Sequence, residues 1–90
     1  MRLYLGIVHK DPDSCYGISF PDVPGCFSAG DTMEELMVMA REALDLHLEG
    51  ETAPPARSFE ELRDDPVFVE AFEDAVILLP VAFEEQRIAA

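Results

Sequence analysis

Hydrophobic and polar residues alternate along the first thirty positions of the chain, which is the period expected of β-strands. The alternation runs from Arg2 to His9, as in a strand with one face buried, and returns from Cys15 to Phe20 and from Cys26 to Ala29. Turn-forming residues occupy positions 10–14 and 21–25 between these segments. The first third of the chain therefore predicts a three-stranded antiparallel meander.

A helical period replaces this alternation in the following twenty residues. Thr32 and Glu35 have the spacing of a capping box, which satisfies backbone amides at a helix start, and Gly50 is a natural stop. The predicted apolar stripe consists of Met33, Leu36, Met37, Ala40, Leu44, His47 and Leu48. Three further apolar residues widen it to one side, namely Met39, Ala43 and Leu46. We expect another surface to cover this extra width.

The second half of the chain predicts a linker, a short helix and a final strand. Residues 51–57 contain two consecutive prolines and cannot continue the helix. Ser58 begins a second capping-box sequence and a short helix that ends before Pro66, whereas residues 67–74 fit no single pattern. Ala75–Phe83 is apolar at nearly every position and suits a strand covered on both faces or joined to another subunit. The fold class is therefore predicted to be α+β.

The final predicted strand also bears on assembly. Pro80 lacks an amide hydrogen, so the strand is expected to have an edge or a bulge at that position. An exposed apolar edge in a small domain favours strand pairing between copies. We therefore expect a homodimer or a higher homo-oligomer.

Charge narrows the choice of partner. The 90-residue chain has 19 acidic and 6 basic side chains and a net charge of -13, with most of the excess between Asp31 and Asp74. This charge repels phosphate backbones and anionic lipids and attracts basic surfaces, so we expect neither direct nucleic-acid binding by this segment nor membrane association. A solvated face that only maintains solubility explains the charge equally well. No signal peptide or membrane span is evident, and a cytoplasmic location is expected.

Residues that could carry catalysis or bind metal are few. A cysteine nucleophile would require Cys15 or Cys26 beside His9 or His47, and no third orienting group is evident. No spacing suggests four converging zinc ligands, and the first and last strands carry no carboxylate for a two-metal nuclease. We expect no catalysis, no metal and no cofactor. A hydrolase that uses His9 with a cysteine or with carboxylates remains an alternative.

Residues 13–32, with the sequence DSCYGISFPDVPGCFSAGDT, followed by Glu34, Glu35 and the segment AREAL at 40–44, resemble the HicB antitoxins. The likeness covers Leu3 to Glu49 well and returns at residues 78–81. It implies a partial RNase H-like fold without the nuclease carboxylates. It also implies an antitoxin that binds and neutralises HicA, a small basic mRNA-cleaving toxin.

The resemblance also sets expectations for domains. Residues 1–83 are expected to form the antitoxin domain and residues 84–90 a C-terminal tail. Many HicB antitoxins continue into a helix-turn-helix or ribbon-helix-helix module, and no DNA-binding module is visible here. The chain is either a short member or a piece that ends before such a module. A stand-alone regulatory or ligand-binding module without a toxin is the alternative function.

Five residues near strand ends and turns are the predicted contacts with the partner: Tyr16, Asp22, Asp31, Glu34 and Glu35. They combine an aromatic side chain with carboxylates at the predicted helix start, a composition suited to a basic protein. Turns and helix caps demand several of the same residue types, so an architectural explanation stands beside the functional one.

Overall fold

The computed structural model describes residues 2–10, 12 and 15–84, and most of the predicted C-terminal tail, residues 85–90, lies outside them. The elements are β1 Arg2–Lys10, β2 Tyr16–Ser19, β3 Phe27–Gly30, α1 Met33–His47, α2 Phe59–Leu62, α3 Pro66–Phe72 and β4 Ile77–Phe83. The α+β class is confirmed. Residues 67–74, which the sequence left open, lie mainly in α3.

A four-stranded antiparallel sheet has the order β3-β2-β1-β4. The predicted meander of the first three strands is confirmed, and β4 returns to pair with β1. The register between β1 and β4 is unbroken from Arg2 opposite Phe83 to Val8 opposite Ile77. Pro80 therefore lies in an edge strand without a bulge, where a missing amide hydrogen is tolerated.

The larger core lies between the sheet and α1. Tyr4 and Val8 of β1 meet the helix residues Leu36, Ala40 and Leu44, and each of these five is fully buried. The other strands contribute Ile18, Val81 and Phe83, and Phe20 joins them from the position directly after β2. Burying these side chains removes them from water at about 25 cal/mol per Å² of apolar area, which makes this contact the main source of stability.

A second core lies on the opposite face of the sheet. Ile7 packs with Leu62 of α2 and Phe68 of α3, and all three are almost completely buried. Phe68 stacks on Phe72 with ring centroids 5.3 Å apart. Since adjacent residues of a strand point to opposite faces, Ile7 and Val8 bury both faces of β1. The expectation of one buried face was wrong because the helices late in the chain cover the second face.

The apolar stripe of α1 is narrower than the sequence predicted. Met37 is 52% exposed and His47 is also exposed, whereas the rest of the predicted stripe lies in or against the core. Of the residues that widen the stripe, Ala43 packs against the core, but Leu46 is 72% exposed. The expected cover for that width is therefore only partial within the described chain.

Side-chain caps begin all three helices. The Thr32 hydroxyl accepts a hydrogen bond from the Glu35 amide at 3.1 Å, and Ser58 and Glu61 form a complete capping box. These caps confirm the predicted helix starts. After α1 the chain turns at Gly50, whose φ of 73° lies in the left-handed region that glycine tolerates.

The join between β3 and α1 leaves no room for a side chain at Gly30. A Cβ atom there would lie 2.6 Å from the Leu36 nitrogen and 2.9 Å from its Cα. Both are backbone atoms of the helix, which cannot rotate away as a flexible side chain would. Glycine at this position sets the distance between the helix and the sheet.

We therefore expect Gly30→Ala to lower the free energy of unfolding by about 2 kcal/mol or more, the cost of forcing overpacked atoms apart. Gly17→Ala is the matched control, since its Cβ would meet only the Ser28 carbonyl oxygen, at 4.0 Å. That control should change stability by less than about 1 kcal/mol. Urea unfolding followed by circular dichroism measures both, and equal losses would contradict the close-approach explanation.

Candidate partner-binding surface

Four of the five predicted contact residues lie at one end of the sheet. Tyr16 at the start of β2 pairs with Gly30 at the end of β3. Asp31 follows directly, and Glu34 and Glu35 occupy the first turn of α1. We call Tyr16, Asp31, Glu34 and Glu35 the acidic corner.

The acidic corner presents three exposed carboxylates beside a half-buried aromatic ring. The N-terminal end of α1 carries a partial positive charge, so the helix stabilises Glu34 and Glu35 where they stand. Tyr16 packs against the larger core, and the Lys10 ammonium lies 5.6 Å from its ring centroid. The corner thus offers fixed negative charge and a rigid aromatic surface, which suits a basic protein partner.

Asp22 lies elsewhere and has a different role. It belongs to the turn between β2 and β3, at the end of these strands opposite the acidic corner. Its carboxylate accepts hydrogen bonds from the Arg57 amide at 2.7 Å and from Arg57 Nε at 2.6 Å. The Asp22 side chain is only 7% exposed. Its charge is therefore directed inward, to the linker before α2.

Arg57 joins three parts of the chain. Beyond its contacts with Asp22, its Nη1 donates to Asp65 Oδ2 at 3.0 Å, while Asp65 Oδ1 accepts from the Val67 amide as the cap of α3. The guanidinium thus holds α2 and α3, the helices on the face of the sheet opposite α1, to the β2–β3 turn. No local pattern in the sequence signals this role, because the partners lie 35 and 8 residues away.

Hydrogen bonds near Arg57 and Ser58 lower the pKa of two carboxyl groups. The Arg57 side chain and the Val67 amide hold the pKa of Asp65 below its ordinary value. Hydrogen bonds from the amide and hydroxyl of Ser58 lower the pKa of Glu61 in the capping box. Since each interaction favours the charged carboxylate, both contribute to stability at neutral pH.

His9 and Cys26 do not come together as a catalytic pair. Cys26 lies in the larger core, and burial raises the pKa of its thiol, which disfavours the thiolate a nucleophile needs. The His9 ring faces the opposite side of the sheet, where Nε2 lies 2.9 Å from the carbonyl oxygen of Ala71 in α3. His9 therefore contacts the second-face helices and not Cys26.

Residues 2–10, 12 and 15–84 contain neither a cluster of metal-ligating side chains nor a helix suited to crossing a membrane. Within these ranges, no group of three or more histidine, cysteine or acidic side chains is placed to hold a metal ion. No helix in the same part of the chain combines the length and apolar character needed to cross a bilayer.

Replacing Arg57 tests the internal role of Asp22. Arg57→Gln removes the Nε and Nη1 donors and leaves a nearly buried carboxylate short of partners, so we expect unfolding to become easier by about 1–2 kcal/mol. The range is modest because Arg57 is itself one-third exposed and solvent screens its charge. The exposed Arg63→Gln is the charge-matched control and should cost less than about 0.5 kcal/mol in the same urea titration. Equal effects of the two variants would show that Arg57 acts only through net charge.

The lowered pKa of Asp65 predicts how this contribution depends on pH. A carboxylate with a folded-state pKa below its unfolded value stabilises fully above the unfolded pKa, and this contribution fades as pH falls through the folded pKa. The stability gap between the unmodified chain and Asp65→Asn should therefore be widest near pH 6 and shrink below about pH 4. Urea unfolding at pH 6, 4 and 3 measures the gap, with Asp64→Asn reporting the effect of net charge alone. A gap independent of pH would contradict the ion pair.

Comparison with curated proteins finds relatives of similar sequence. An uncharacterised 14.9 kDa protein from the rep-hol intergenic region of Haemophilus phage HP1 is 45% identical over 71 residues, covering 73% of this chain and 53% of that protein. A UPF0150 protein of Archaeoglobus fulgidus is 37% identical over 43 residues, covering 48% and 62%. The chain thus spans between about half and two thirds of these relatives.

Solved structures share the fold. The Burkholderia pseudomallei antitoxin HicB superposes with a TM-score of 0.73 at 29% identity, covering 100% of this chain and 74% of that one. A chain of the HicA3 and HicB3 toxin-antitoxin complex gives 0.69 at 30% identity, covering 92% and 99%. The family described as HicB-like antitoxin of bacterial toxin-antitoxin system matches residues 4–88. With nearly the whole length matched, the chain belongs to the HicB-like antitoxin family.

Proposed function

We propose that this chain is the antitoxin of a toxin-antitoxin pair and that it binds and neutralises a small basic HicA-type mRNA-cleaving toxin. The family match across residues 4–88 carries the proposal. The similar chain in the HicA3 and HicB3 complex supports it, because that complex contains a toxin and its antitoxin. The net charge of -13 agrees with it physically, since opposite potentials speed association and favour a basic partner.

The acidic corner is the proposed contact with the toxin. Its three carboxylates are exposed, one from the loop after β3 and two from the first turn of α1, and the core holds the Tyr16 ring beside them. A toxin that cleaves mRNA must itself attract phosphates, so its RNA-binding surface is basic. A carboxylate surface can occupy the same positive groups and exclude the RNA. Asp22 is a supporting residue in this proposal, because its carboxylate is engaged by Arg57.

The finer features of the fold and assembly belong to the same proposal. A partial RNase H-like fold agrees with the three-stranded meander and with a helix packed on one of its faces. A homodimer or higher homo-oligomer agrees with β4, whose outer edge has no partner strand within residues 2–10, 12 and 15–84. Residues 1–83 are proposed as the antitoxin domain, with a C-terminal tail from residue 84.

The mode of action is proposed to be binding alone. The chain would act without catalysis, in the cytoplasm, and without touching nucleic acid itself, since its charge opposes contact with phosphates. The position of His9, on the face opposite Cys26, supports this proposal over a cysteine hydrolase.

Removing the charges of the acidic corner should weaken toxin binding. We expect the triple variant Asp31→Asn, Glu34→Gln and Glu35→Gln to raise the dissociation constant at least about tenfold, or about 1.4 kcal/mol. The neutral side chains keep the size of the originals and lose only the attraction for basic groups. Isothermal calorimetry with the small basic protein encoded beside the chain's gene measures the change.

An equal loss of charge elsewhere provides the control. Glu70→Gln, Glu73→Gln and Asp74→Asn neutralise three exposed carboxylates in and after α3, on the other side of the sheet. This control should change the dissociation constant less than about threefold at 0.15 M salt, where distant charges are screened. Equal weakening by both triple variants would reject the acidic corner as a contact and leave only long-range attraction.

A further inference from the structure

An apolar groove follows β4 along the edge of the sheet. It has a volume of about 390 Å³ and lies between the strand residues Leu79–Ala82 and the side of α1 that carries Met37, Val38 and Arg41. Leu3 of β1 completes the lining. We call these residues the β4 groove. It shares no residue with the core formed by Ile7, Leu62 and Phe68. It also contains none of the four residues of the acidic corner.

Three apolar side chains of the groove are left open to solvent. Val38 is 61% exposed, Met37 is 52% and Leu3 is 51%. Among the described residues, β4 pairs with β1 alone, so the peptide groups on its outer side have no partner strand in that part of the chain. An apolar surface next to an unpaired strand edge is a common site for another chain.

The charge of the residues that line the β4 groove indicates which partner chain it can bind. None of the described residues that line the groove is acidic, although the protein carries 19 acidic side chains, and the charged group among them is Arg41. A basic toxin would find no carboxylate among these residues. Two copies of a chain with a net charge of -13 repel each other over most of their surfaces, and this acid-free groove is where that repulsion is weakest.

We propose that the β4 groove binds a second copy of this chain, edge to edge along β4 and side to side along α1. The inference rests on the proposed homo-oligomer and specifies its contact surface. In a two-fold arrangement the same groove serves both copies, so the unpaired edge of each β4 is used and the assembly closes as a dimer.

Pro80 limits how far backbone pairing can proceed. It lies at the centre of β4 and supplies no amide hydrogen, so a strand added at this edge forms an interrupted ladder. Packing of Met37 and Val38 must then contribute much of the association, since methionine adapts to irregular surfaces. Substitution on α1 should therefore affect the dimer even though the backbone of β4 is unchanged.

Sedimentation equilibrium of the full chain tests the proposal. We expect the unmodified protein to be dimeric at about 50 μM, and Val38→Glu to raise the dimer dissociation constant at least about tenfold, because two carboxylates then enter one apolar contact. Leu46→Glu is the matched control, since it places the same charge at a 72% exposed apolar position of the same helix outside the groove. The control should change the constant less than about threefold.

The dependence of dimerisation on salt concentration is a second test. Raising the ionic strength from about 0.1 M to about 1 M shortens the screening length from about 10 Å to about 3 Å. Copies that repel through their carboxylates and associate through an apolar groove should dimerise more tightly in salt. Toxin binding through the acidic corner should weaken over the same range.

Several results would overturn the proposal. They are an unmodified protein that stays monomeric at 50 μM, a dimer that Val38→Glu and Leu46→Glu affect equally, or one that dissociates in salt. If Val38→Glu abolished toxin binding and left the dimer intact, the groove would belong to the toxin. Retention of toxin binding by monomeric Val38→Glu, with a dissociation constant within about fivefold, would leave the antitoxin function standing on its own.

Discussion

The burial of both faces of β1 is the constraint on which the rest of the structure depends. Ile7 is 1% exposed and its neighbour Val8 is fully buried, yet their side chains point to opposite faces of the sheet. A chain of 90 residues must therefore supply a helical layer for each face. It uses α1 for one and the α2–α3 pair for the other. The linker must pass from one face to the other, and Arg57 holds its end against Asp22.

This arrangement separates apolar from charged residues almost completely. Within the described part of the chain no polar or charged residue is buried, and the four strands contain no acidic side chain. The carboxylates are therefore confined to helices, turns and the linker, and the nearly buried one, Asp22, is paired with Arg57. A protein that binds by charge needs this separation, since a carboxylate inside the core would have to be neutral or paired.

The local parts of the fold could be predicted from the sequence because their signals are local. Alternation identified the first three strands, a continuous apolar run identified the last, and the spacings of Thr32 and Ser58 identified two helix starts. The start of α3 had a usable signal too, since Asp65 caps it and Pro66 occupies its first turn. The burial of Ile7 had none, because the residues that cover it, Leu62 and Phe68, come more than fifty positions later.

The candidate site shows the same difference between features set by nearby residues and features set by distant ones. Tyr16, Asp31, Glu34 and Glu35 come together because a short meander and the helix that follows it fix their positions through neighbouring elements. Asp22 is also an acidic residue near the end of a strand. Its hydrogen bonds, however, depend on Arg57, which lies 35 residues later. Residue type alone does not separate a carboxylate that faces a partner from one that holds the fold. The distinction requires knowing where the linker passes.

The two proposed surfaces are neighbours on α1, so the proposed toxin contact and the proposed dimer contact would influence each other. Glu34 of the acidic corner lies one helical turn before Val38 of the β4 groove, close enough for bound partners to influence each other. Under both proposals, carboxylates attract a basic toxin and repel a second copy. A bound toxin would then neutralise part of that charge and lower the repulsion between copies. Because coupling between two binding events is reciprocal, dimerisation would in turn tighten toxin binding. The acidity of the chain would thus tie the two proposed associations together.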